Sequence, residues 1–246
     1  MFRDLIGKTV EVYIDDMVMK TKEPEDHLAD LKAVFDILKT YRLRLNASKC
    51  AFGVRFGKFL GYLVTRRGIK ESPDQIKAII DLKSPTLTKQ VQMLTGRATT
   101  LNRFISKSSD KYKPFFSLLN KAKDFLWTDE CKVALAGLKK YLTTALVLSN
   151  PVPGEELLLY LAVLEHAVSA VVIREEKGEK KTVYHASKTL ASAETRYLPL
   201  EKLTLALVMA SKKLNHYFQG HKMVIVTEHP LKSLLQQEDL TGRVAR

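Results

Sequence analysis

The chain has 246 residues, 46% of them hydrophobic and 27% charged, which is typical of a globular protein with a sizeable core and one or two domains. The sequence lacks an apolar run near the roughly 20 residues of a membrane span, an apolar N-terminal signal segment and, with only Cys50 and Cys131, a disulfide framework. The formal net charge of +13 favours a polyanionic partner.

The positive charge is concentrated in the middle third of the chain. Residues 73–150 carry 13 Lys and Arg against 6 Asp and Glu, a net of +7, whereas residues 1–72 and 151–246 carry nets of +4 and +2. Nucleic acids are bound largely through Lys and Arg that neutralise their phosphates. The middle third is therefore the first candidate for a nucleic-acid-binding surface.

A β-hairpin with two acids at its tip is predicted near the N-terminus. Apolar residues alternate with others across 9–20, as in a pair of half-buried strands, and Asp15 and Asp16 fall at the turn. Adjacent carboxylates repel unless a cation neutralises them, and Mg²⁺ commonly binds one or two carboxylates plus substrate phosphates. The alternative is a solvated turn, because Asp is common in turns.

A helix and several short strands are predicted after the hairpin. Pro24 opens a helix at about 24–42, with His27 near its start as a surface or capping residue. The apolar face of this helix comprises Leu28, Leu31, Val34, Phe35 and Leu38. Glycines break residues 50–70 into short strands, with 59–64 strand-like and 66–68 as a turn.

The middle third is predicted to be helical. Helices are expected from Pro73 to before Ser84, at about 87–105, at 112–124, and from the N-cap Thr128 to about 143. The prolines and the glycine at 149–155 cannot continue a helix, so this segment is the clearest domain boundary.

The last third is predicted to combine strands and a helix. Strands are expected at 157–164, 167–174, 182–187 and 222–227, with a solvated charged loop at 175–181 and a helix at about 194–217. Three antiparallel strands, a helix and a fourth strand match the ribonuclease H fold.

Several short motifs occur in a characteristic order. Tyr13-Ile14-Asp15-Asp16 resembles the Tyr-x-Asp-Asp box of reverse transcriptases. The motifs that follow it are Leu43-Arg44-Leu45-Asn46 with Lys49-Cys50, then 59–64, Gly68-Ile69, 94–97 and 101–105. Each motif is weak alone, but the ordered set resembles the pol polyprotein of plant retrotransposons of the Ty3/gypsy type over essentially the whole chain.

The resemblance implies an α/β (α+β) fold with three regions. Residues 1–72 would be the C-terminal part of a reverse transcriptase palm, 73–150 the thumb and connection helices, and 151–246 a ribonuclease H-like domain. The implied activity is RNA-directed DNA polymerase with Mg²⁺ or Mn²⁺. The implied partners are RNA–DNA hybrid, primer–template and the rest of the pol polyprotein, within the cell, in a cytoplasmic virus-like particle or the nucleus.

For polymerisation, the resemblance assigns Asp15 and Asp16 as catalytic metal ligands. The family's third aspartate comes from an earlier palm strand, which would precede Met1, as would the fingers. We therefore expect no measurable polymerase activity from the chain as given. Residues 60–70 match the primer-grip region, and the alternative for them is an ordinary packed hairpin.

For nucleic-acid binding, Gln92, Gly96 and Thr100 are spaced four apart and share one helix face. In related polymerases the corresponding thumb helix lies along the duplex minor groove. Gly96 would allow close approach and Gln92 would donate hydrogen bonds, the alternative being plain helix packing around a tolerated glycine. The candidate phosphate contacts, each of which would otherwise be simply solvated, are Arg97, Arg103, Lys107, Lys111 and Lys113.

The ribonuclease H-like region departs from the acids that the family uses. Ala162 stands where the first aspartate is expected, Glu201 matches the helix glutamate, Glu228 replaces the next aspartate, and a fourth acid would lie beyond Arg246. Glu165 is a poor substitute, because an offset of three residues on a strand reverses the direction of the side chain. We expect this region to fold without cutting RNA.

Two further hypotheses accompany that of an enzyme fragment. One is a non-catalytic module that only binds RNA–DNA hybrid or duplex nucleic acid, and the other is a decayed coding remnant without a cellular role.

Overall fold

The computed structural model describes residues 1–21, 23–65, 67–120, 125–144, 147–229 and 231. The chain has the predicted mixed α/β character and divides into two compact units, residues 1–72 and 73–246. Among the described residues, every helix is too short or too polar to cross a membrane.

The first unit contains five short strands and one helix. They are β1 (Val10–Tyr13), β2 (Asp16–Met19), α1 (His27–Thr40), β3 (Phe56–Phe59), β4 (Tyr62–Thr65) and β5 (Gly68–Glu71). Strands β1 and β2 form the predicted antiparallel hairpin, and β3, β4 and β5 follow one another as an antiparallel meander. Single 3-10 turns occupy Pro24–Asp26 and Ala47–Lys49.

A small core holds the hairpin against α1. Val10 is fully buried and clusters with Phe2, Val34 and Leu38. Leu28 was predicted on the buried face of this helix, but it is 76% exposed. It lies in the first turn, outside the stretch of α1 that carries the buried residues.

The strand predicted at 59–64 is wrong, because a turn divides it. Leu60 and Gly61 have φ values of 52° and 81° and connect β3 to β4, with Phe59 paired to Tyr62. Positive φ at both central residues gives a type I′ turn, which matches the twist of the flanking strands. In the turn predicted at 66–68, Arg66 lies outside the described residues, and Gly68 already begins β5.

The second unit contains helices followed by a sheet. Its helical part comprises α2 (Pro73–Ile80), α3 (Thr88–Thr100), a 3-10 turn (Asn102–Phe104), α4 (Ser108–Asn120) and α5 (Asp129–Leu142). The remaining elements are β6 (Val147–Leu148), β7 (Leu157–Val163), β8 (Ala167–Glu176), β9 (Glu179–Thr189), a 3-10 turn (Glu194–Arg196), α6 (Pro199–Lys213), α7 (Asn215–Gly220) and β10 (Met223–Val226).

The helices largely follow the predictions, with altered ends. Thr128 is the N-cap of α5, where its hydroxyl accepts a hydrogen bond from the Cys131 backbone N–H at 3.4 Å. Helix α4 begins four residues before its predicted start, and the predicted residues 121–124 lie outside the described part. The helix predicted at 194–217 is divided at Leu214 into α6 and α7.

The sheet has the three predicted antiparallel strands and the predicted fourth strand, which the structure shows to be parallel to its neighbour. Its order is β10-β7-β8-β9, and β10 runs parallel to β7. Leu157 and Leu159 of β7 and Val168 of β8 are fully buried, and they cluster with Ala206 and Ala210 of α6. Helix α6 therefore covers one face of the sheet.

The charged loop is shorter than the predicted range of residues 175–181. Strands β8 and β9 continue into it, and only Lys177 and Gly178, with φ values of 54° and 81°, form the turn. The charged side chains pair across the strands, as in the ion pair between Glu176 and Lys181. Cross-strand pairs of opposite charge stabilise a sheet, which explains why the strands extend.

The proline-rich segment at 149–155 is fixed to the sheet. Arg174 of β8 forms an ion pair with Glu155 at 2.9 Å, and its guanidinium also donates to the Asn150 carbonyl at 3.2 Å. The boundary predicted at 150 remains a prediction, since residues 73–246 form one compact unit.

Candidate functional site

The tip of the first hairpin presents both predicted acids to solvent. Asp15 is the second residue of the turn, and Asp16 opens β2 opposite Tyr13. Ile14 precedes them with φ 52° and is 80% exposed. A β-branched residue at positive φ is strained, typically by about 1–3 kcal/mol, and such strain clusters at active sites and ligand clamps.

The chemistry of the tip fits part of a metal site. Neither Asp15 nor Asp16 receives a hydrogen bond or ion pair from the residues that the structure describes. Those residues contain no group of three or more His, Cys, Asp or Glu that could hold a metal ion. Two carboxylates hold Mg²⁺ only where substrate phosphates or further ligands complete its coordination.

The described residues of the segment 60–70, predicted as the primer grip, comprise the turn after β3, strand β4 and the first part of β5. Leu60 at the turn is 42% exposed, and Gly68 is buried. The segment is thus a packed hairpin with an exposed tip, and its contact with a primer stays a prediction.

Helix α3 has a polar exposed face opposite its buried face. Val91, Leu94 and Ala98 are fully buried, whereas Gln92, Gly96 and Thr100 are exposed. This is the arrangement that the spacing of four residues predicts for a helix with one face on the core. The three candidate minor-groove residues thus share a surface that is open to a ligand.

Gly96 has no packing reason to be glycine. A Cβ built there would meet nothing within 4 Å, and its φ is not in the left-handed region. Glycine inside a helix costs about 0.8–1 kcal/mol relative to alanine. Packing within the described part of the chain therefore does not require a glycine at this position, and the close approach of a nucleic acid to Gly96 stays a prediction.

Lys89 is a candidate that the sequence analysis missed. It is exposed in the first turn of α3, seven residues before Gly96, so both lie on the same face. A cation near a helix N-terminus is slightly unfavourable because of the helix dipole. The sequence could have indicated Lys89, because a residue seven positions before Gly96 lies on the same face of a helix.

Two of the predicted phosphate contacts are engaged within the protein. The Nη1 atom of Arg97 donates to the Ala78 carbonyl of α2 at 2.8 Å. The guanidinium of Arg103 lies over the Tyr184 ring of β9, 5.2 Å from its centroid. Both cations therefore hold elements of the second unit together, and their contact with phosphate stays a prediction.

The other three cations differ in exposure. Lys107 is exposed, and Lys113 is half-buried. Lys111 donates to the Ser106 carbonyl at 2.7 Å and lies 4.1 Å from the ring centroid of Tyr141. Burial and the neighbouring Lys107 lower the pKa of Lys111. Of the three, Lys107 is the one best placed to meet a phosphate.

In the ribonuclease H-like sheet, Ala162 faces away from α6. It alternates along β7 with Leu157 and Leu159, which pack on that helix, and it pairs across the sheet with Ser169 of β8. An aspartate at this position would lie at the carboxyl end of β7, on the opposite face of the sheet from α6.

The glutamates of this region lie in different surroundings. Glu201, in the first turn of α6, accepts a hydrogen bond from the Leu198 backbone N–H at 2.8 Å, which caps the helix. Glu228 is exposed two residues after β10. Glu165 lies in the turn after β7 rather than on the strand, and its carboxylate is 3.2 Å from His166 Nε2. These residues do not fit a two-metal site, which needs several converging carboxylates.

Two segments of the chain match known protein families. Residues 1–64 match the family described as reverse transcriptase (RNA-dependent DNA polymerase), and residues 127–225 match the RNase H-like domain found in reverse transcriptase. These two segments are therefore similar to two parts of reverse transcriptases, the polymerase and the RNase H-like domain. Reverse transcriptases and ribonuclease H-like enzymes depend in general on divalent metal ions.

The relatives confirm the predicted resemblance to Ty3/gypsy-type polyproteins. The chain is 31% identical over 248 residues to the retrovirus-related Pol polyprotein from transposon 297 of Drosophila melanogaster, covering 100% of this chain and 23% of that protein. It is 28% identical over 236 residues to the transposon Tf2-3 polyprotein of Schizosaccharomyces pombe, covering 96% of this chain and 17% of that protein. The chain thus spans about a quarter or less of these relatives.

Solved structures show the same fold. A foamy viral protease-reverse transcriptase in complex with RNA/DNA hybrid matches 99% of this chain and 34% of its own, with a TM-score of 0.78 and 23% identity. The foamy viral protease-reverse transcriptase in complex with dsDNA matches 96% of this chain and 52% of its own, with a TM-score of 0.80 and 24% identity.

Proposed function

We propose that the exposed face of α3, formed by Lys89, Gln92, Gly96 and Thr100, binds RNA–DNA hybrid or duplex nucleic acid. The observation that carries this proposal is the shared exposed face of Gln92, Gly96 and Thr100 opposite the buried face of α3, where the glycine places no side chain between the helix and a ligand. The net charge of +7 over residues 73–150 supports a polyanionic partner. The nucleic acids named with the two foamy viral structures indicate the type of partner.

Within a longer Pol polyprotein, this face would hold primer–template for an RNA-directed DNA polymerase. Asp15 and Asp16 would then contribute two ligands to Mg²⁺ or Mn²⁺, with the remaining ligands supplied by substrate phosphates and by parts of the polyprotein outside this chain. The ion would supply charge stabilisation for phosphoryl transfer. The strained, exposed hairpin tip supports this assignment.

The ribonuclease H-like domain acts in this proposal as a non-cutting support for the helices. Arg103 on Tyr184 and the hydrogen bond from Ser109 N–H to Ser187 Oγ at 3.1 Å join the helical part to β9. These contacts do not use Glu201 or Glu228, so the support is independent of the missing acids.

Gly96→Leu tests the proposal, with Gly137→Leu as its matched control. Both glycines are exposed within helices, and a Cβ at either meets nothing within 4 Å. Both substitutions should therefore preserve or slightly raise the melting temperature, because leucine is the better helix former. Only the side chain at 96 would separate the duplex from α3, and we expect about a tenfold loss of affinity, equivalent to about 1.4 kcal/mol.

The measurement is fluorescence anisotropy of a labelled RNA–DNA hybrid titrated with each full-length variant at one fixed salt concentration. Equal affinity for Gly96→Leu and Gly137→Leu would remove α3 as the binding surface. Loss of affinity in both variants would point to a general effect on the helices.

A further inference from the structure

A groove of about 420 Å³ separates α2 from α3 in the second unit. The residues that line it are Asp74, Gln75, Ala78, Gly96, Arg97 and Thr100. Gly96 and Thr100 belong to the face of α3 proposed above to bind nucleic acid. The groove therefore continues that face onto a second helix.

The C-terminal end of α2 is fixed by two cations from other helices. Ala78 lies in the last turn of α2, where carbonyl groups lack helical partners, and its carbonyl accepts from Arg97 at 2.8 Å. The Leu82 carbonyl, just beyond this helix, accepts from Lys139 Nζ at 2.6 Å. Cations are favourable at this end of the helix dipole. Arg97 therefore sets the spacing between α2 and α3, and with it the width of the groove.

Gln75 projects from α2 towards α3. The Thr100 hydroxyl lies 3.2 Å from Gln75 Oε1 and also donates to the Arg97 carbonyl at 2.8 Å. The hydroxyl has one proton, which it shares between these two acceptors, and its contact with Oε1 leaves the amide nitrogen of Gln75 turned away from Thr100. No described residue accepts a hydrogen bond from the Gln75 side-chain nitrogen, so its donors are available to a ligand in the groove.

We propose that Gln75 is a second minor-groove contact, which donates hydrogen bonds to base edges of the duplex beside the face of α3. Every base pair presents acceptors in the minor groove, at purine N3 and pyrimidine O2, so an amide donor there binds without reading sequence. Thr100 orients Gln75, and Arg97 positions the helix that carries it. This inference rests on the proposed function of α3.

Charge favours a base edge over a phosphate at this position. Gln75 is neutral, and the adjacent Asp74 adds a negative charge to the same wall of the groove. A neutral contact releases no condensed counterion, whereas a cation that neutralises a phosphate does. Loss of Gln75 should thus lower affinity while leaving the salt dependence of binding unchanged.

The experiment uses the full chain and a labelled RNA–DNA hybrid, with anisotropy titrations over a series of salt concentrations. We expect Gln75→Ala to weaken binding about threefold to tenfold, the range of one net hydrogen bond. Gln75→Glu should weaken it more, because a carboxylate lacks donors and repels the polyanion. The control is Gln219→Ala, which removes an exposed amide from α7 and should change nothing.

A double-mutant cycle tests the orientation of Gln75 by Thr100. Thr100→Val keeps the β-branched shape and removes the hydroxyl, so it should weaken binding, and the Gln75→Ala/Thr100→Val variant should lose less affinity than the sum of the two single losses, the remainder being the contact of Thr100 itself. Additive losses would overturn the orienting role.

The outcomes separate this inference from the proposed function. Unchanged binding in Gln75→Ala together with weakened binding in Gly96→Leu would overturn the role of Gln75 and leave α3 as the interface. A shallower salt slope in Gln75→Ala would show that the substitution disrupts cation–phosphate contacts made by other residues, and it would overturn the direct contact of Gln75 with a base edge. Unchanged binding in both variants would contradict the proposed function itself.

Discussion

His185 shows how burial sets the protonation of a single side chain in the second unit. Its ring lies half-buried on β9, near Lys111 of α4. Burial, together with the positive charge of Lys111, lowers the pKa of His185 to about 4 from its usual 6.5. The ring is therefore neutral in the folded protein at pH values where the unfolded chain is already protonated.

We predict that the free energy of unfolding falls as the pH is lowered from 6.5 towards 4. Over this window the unfolded state binds a proton that the folded state does not, so acid favours unfolding, and above pH 6.5 the effect is absent. The loss should be about 1–3 kcal/mol for a partly solvated ring. Urea unfolding at a series of pH values measures it, and His185→Gln should flatten the profile. His229→Gln, at an exposed position, is the control, and an equal effect of both substitutions would contradict the prediction.

At the scale of the element, the cations on and after α3 divide into exposed and engaged groups. Lys89 and Lys107 are exposed, whereas Arg103 stacks on Tyr184. Removing an exposed cation that meets a phosphate reduces the slope of log K against log salt by about 0.9 for B-form DNA. Removing Arg103 instead loses a cation–π contact, worth about 0.5–2 kcal/mol, within the protein.

We therefore predict that Lys89→Gln and Lys107→Gln each make binding of a duplex less salt-dependent, by about 0.9 in the slope. Arg103→Gln should chiefly lower the melting temperature. Lys140→Gln, which removes an exposed cation from α5, is the control for a general effect of net charge. Equal slopes for all four variants would show that the phosphates lie elsewhere. Anisotropy titrations over a salt series and thermal melts provide the two readouts.

Local sequence patterns predicted most elements but not their turns or long-range partners. The hairpin at 9–20 and the helix after Thr128 follow from alternation and from an N-cap, which are local signals. The turns at Leu60-Gly61 and Lys177-Gly178 were missed because a leucine or a lysine at positive φ is rare, so only the glycine marked them.

The roles of the candidate site residues depended on partners far along the chain. Arg97 meets a carbonyl of α2, and Arg103 meets Tyr184 of β9, contacts that no spacing within one helix indicates. The face of Gln92, Gly96 and Thr100 was predictable, since it follows from helical geometry alone.

At the scale of the whole molecule, the first unit exposes much of its apolar surface. Its buried cluster comprises only Phe2, Val10, Val34 and Leu38 among the described residues. Large apolar side chains exposed in the same unit include Ile14 at 80%, Tyr41 at 57%, Phe52 at 55% and Phe56 at 59%. Residues 1–64 of this unit match the reverse transcriptase family, and the chain as a whole covers 23% of the transposon 297 polyprotein.

The ribonuclease H-like sheet folds on contacts that are independent of catalytic acids. Leu157 and Leu159 of β7 pack with Ala206 and Ala210 of α6, and Arg174 pairs with Glu155. Compared with the aspartate expected at position 162, alanine places no negative charge at the carboxyl end of β7. It therefore introduces no electrostatic repulsion that would destabilise the fold. A metal-dependent nuclease, in contrast, loses the ion that stabilises its transition state when a ligand is removed.

We predict that the purified chain leaves a labelled RNA–DNA hybrid uncut with Mg²⁺ or Mn²⁺, and that Ala162→Asp does not restore cleavage. The parallel register ends at the pair of Val226 with Tyr160, two residues before Glu228 and position 162, so the substitution would create at most one pair of acids. Glu201 would remain on the Leu198 backbone N–H, where it caps α6. Anisotropy on the same samples verifies that the hybrid is bound, so that absent cleavage reports absent chemistry. Hybrid-specific cleavage that disappears in Glu201→Gln would contradict the prediction and make Glu165 the next residue to substitute.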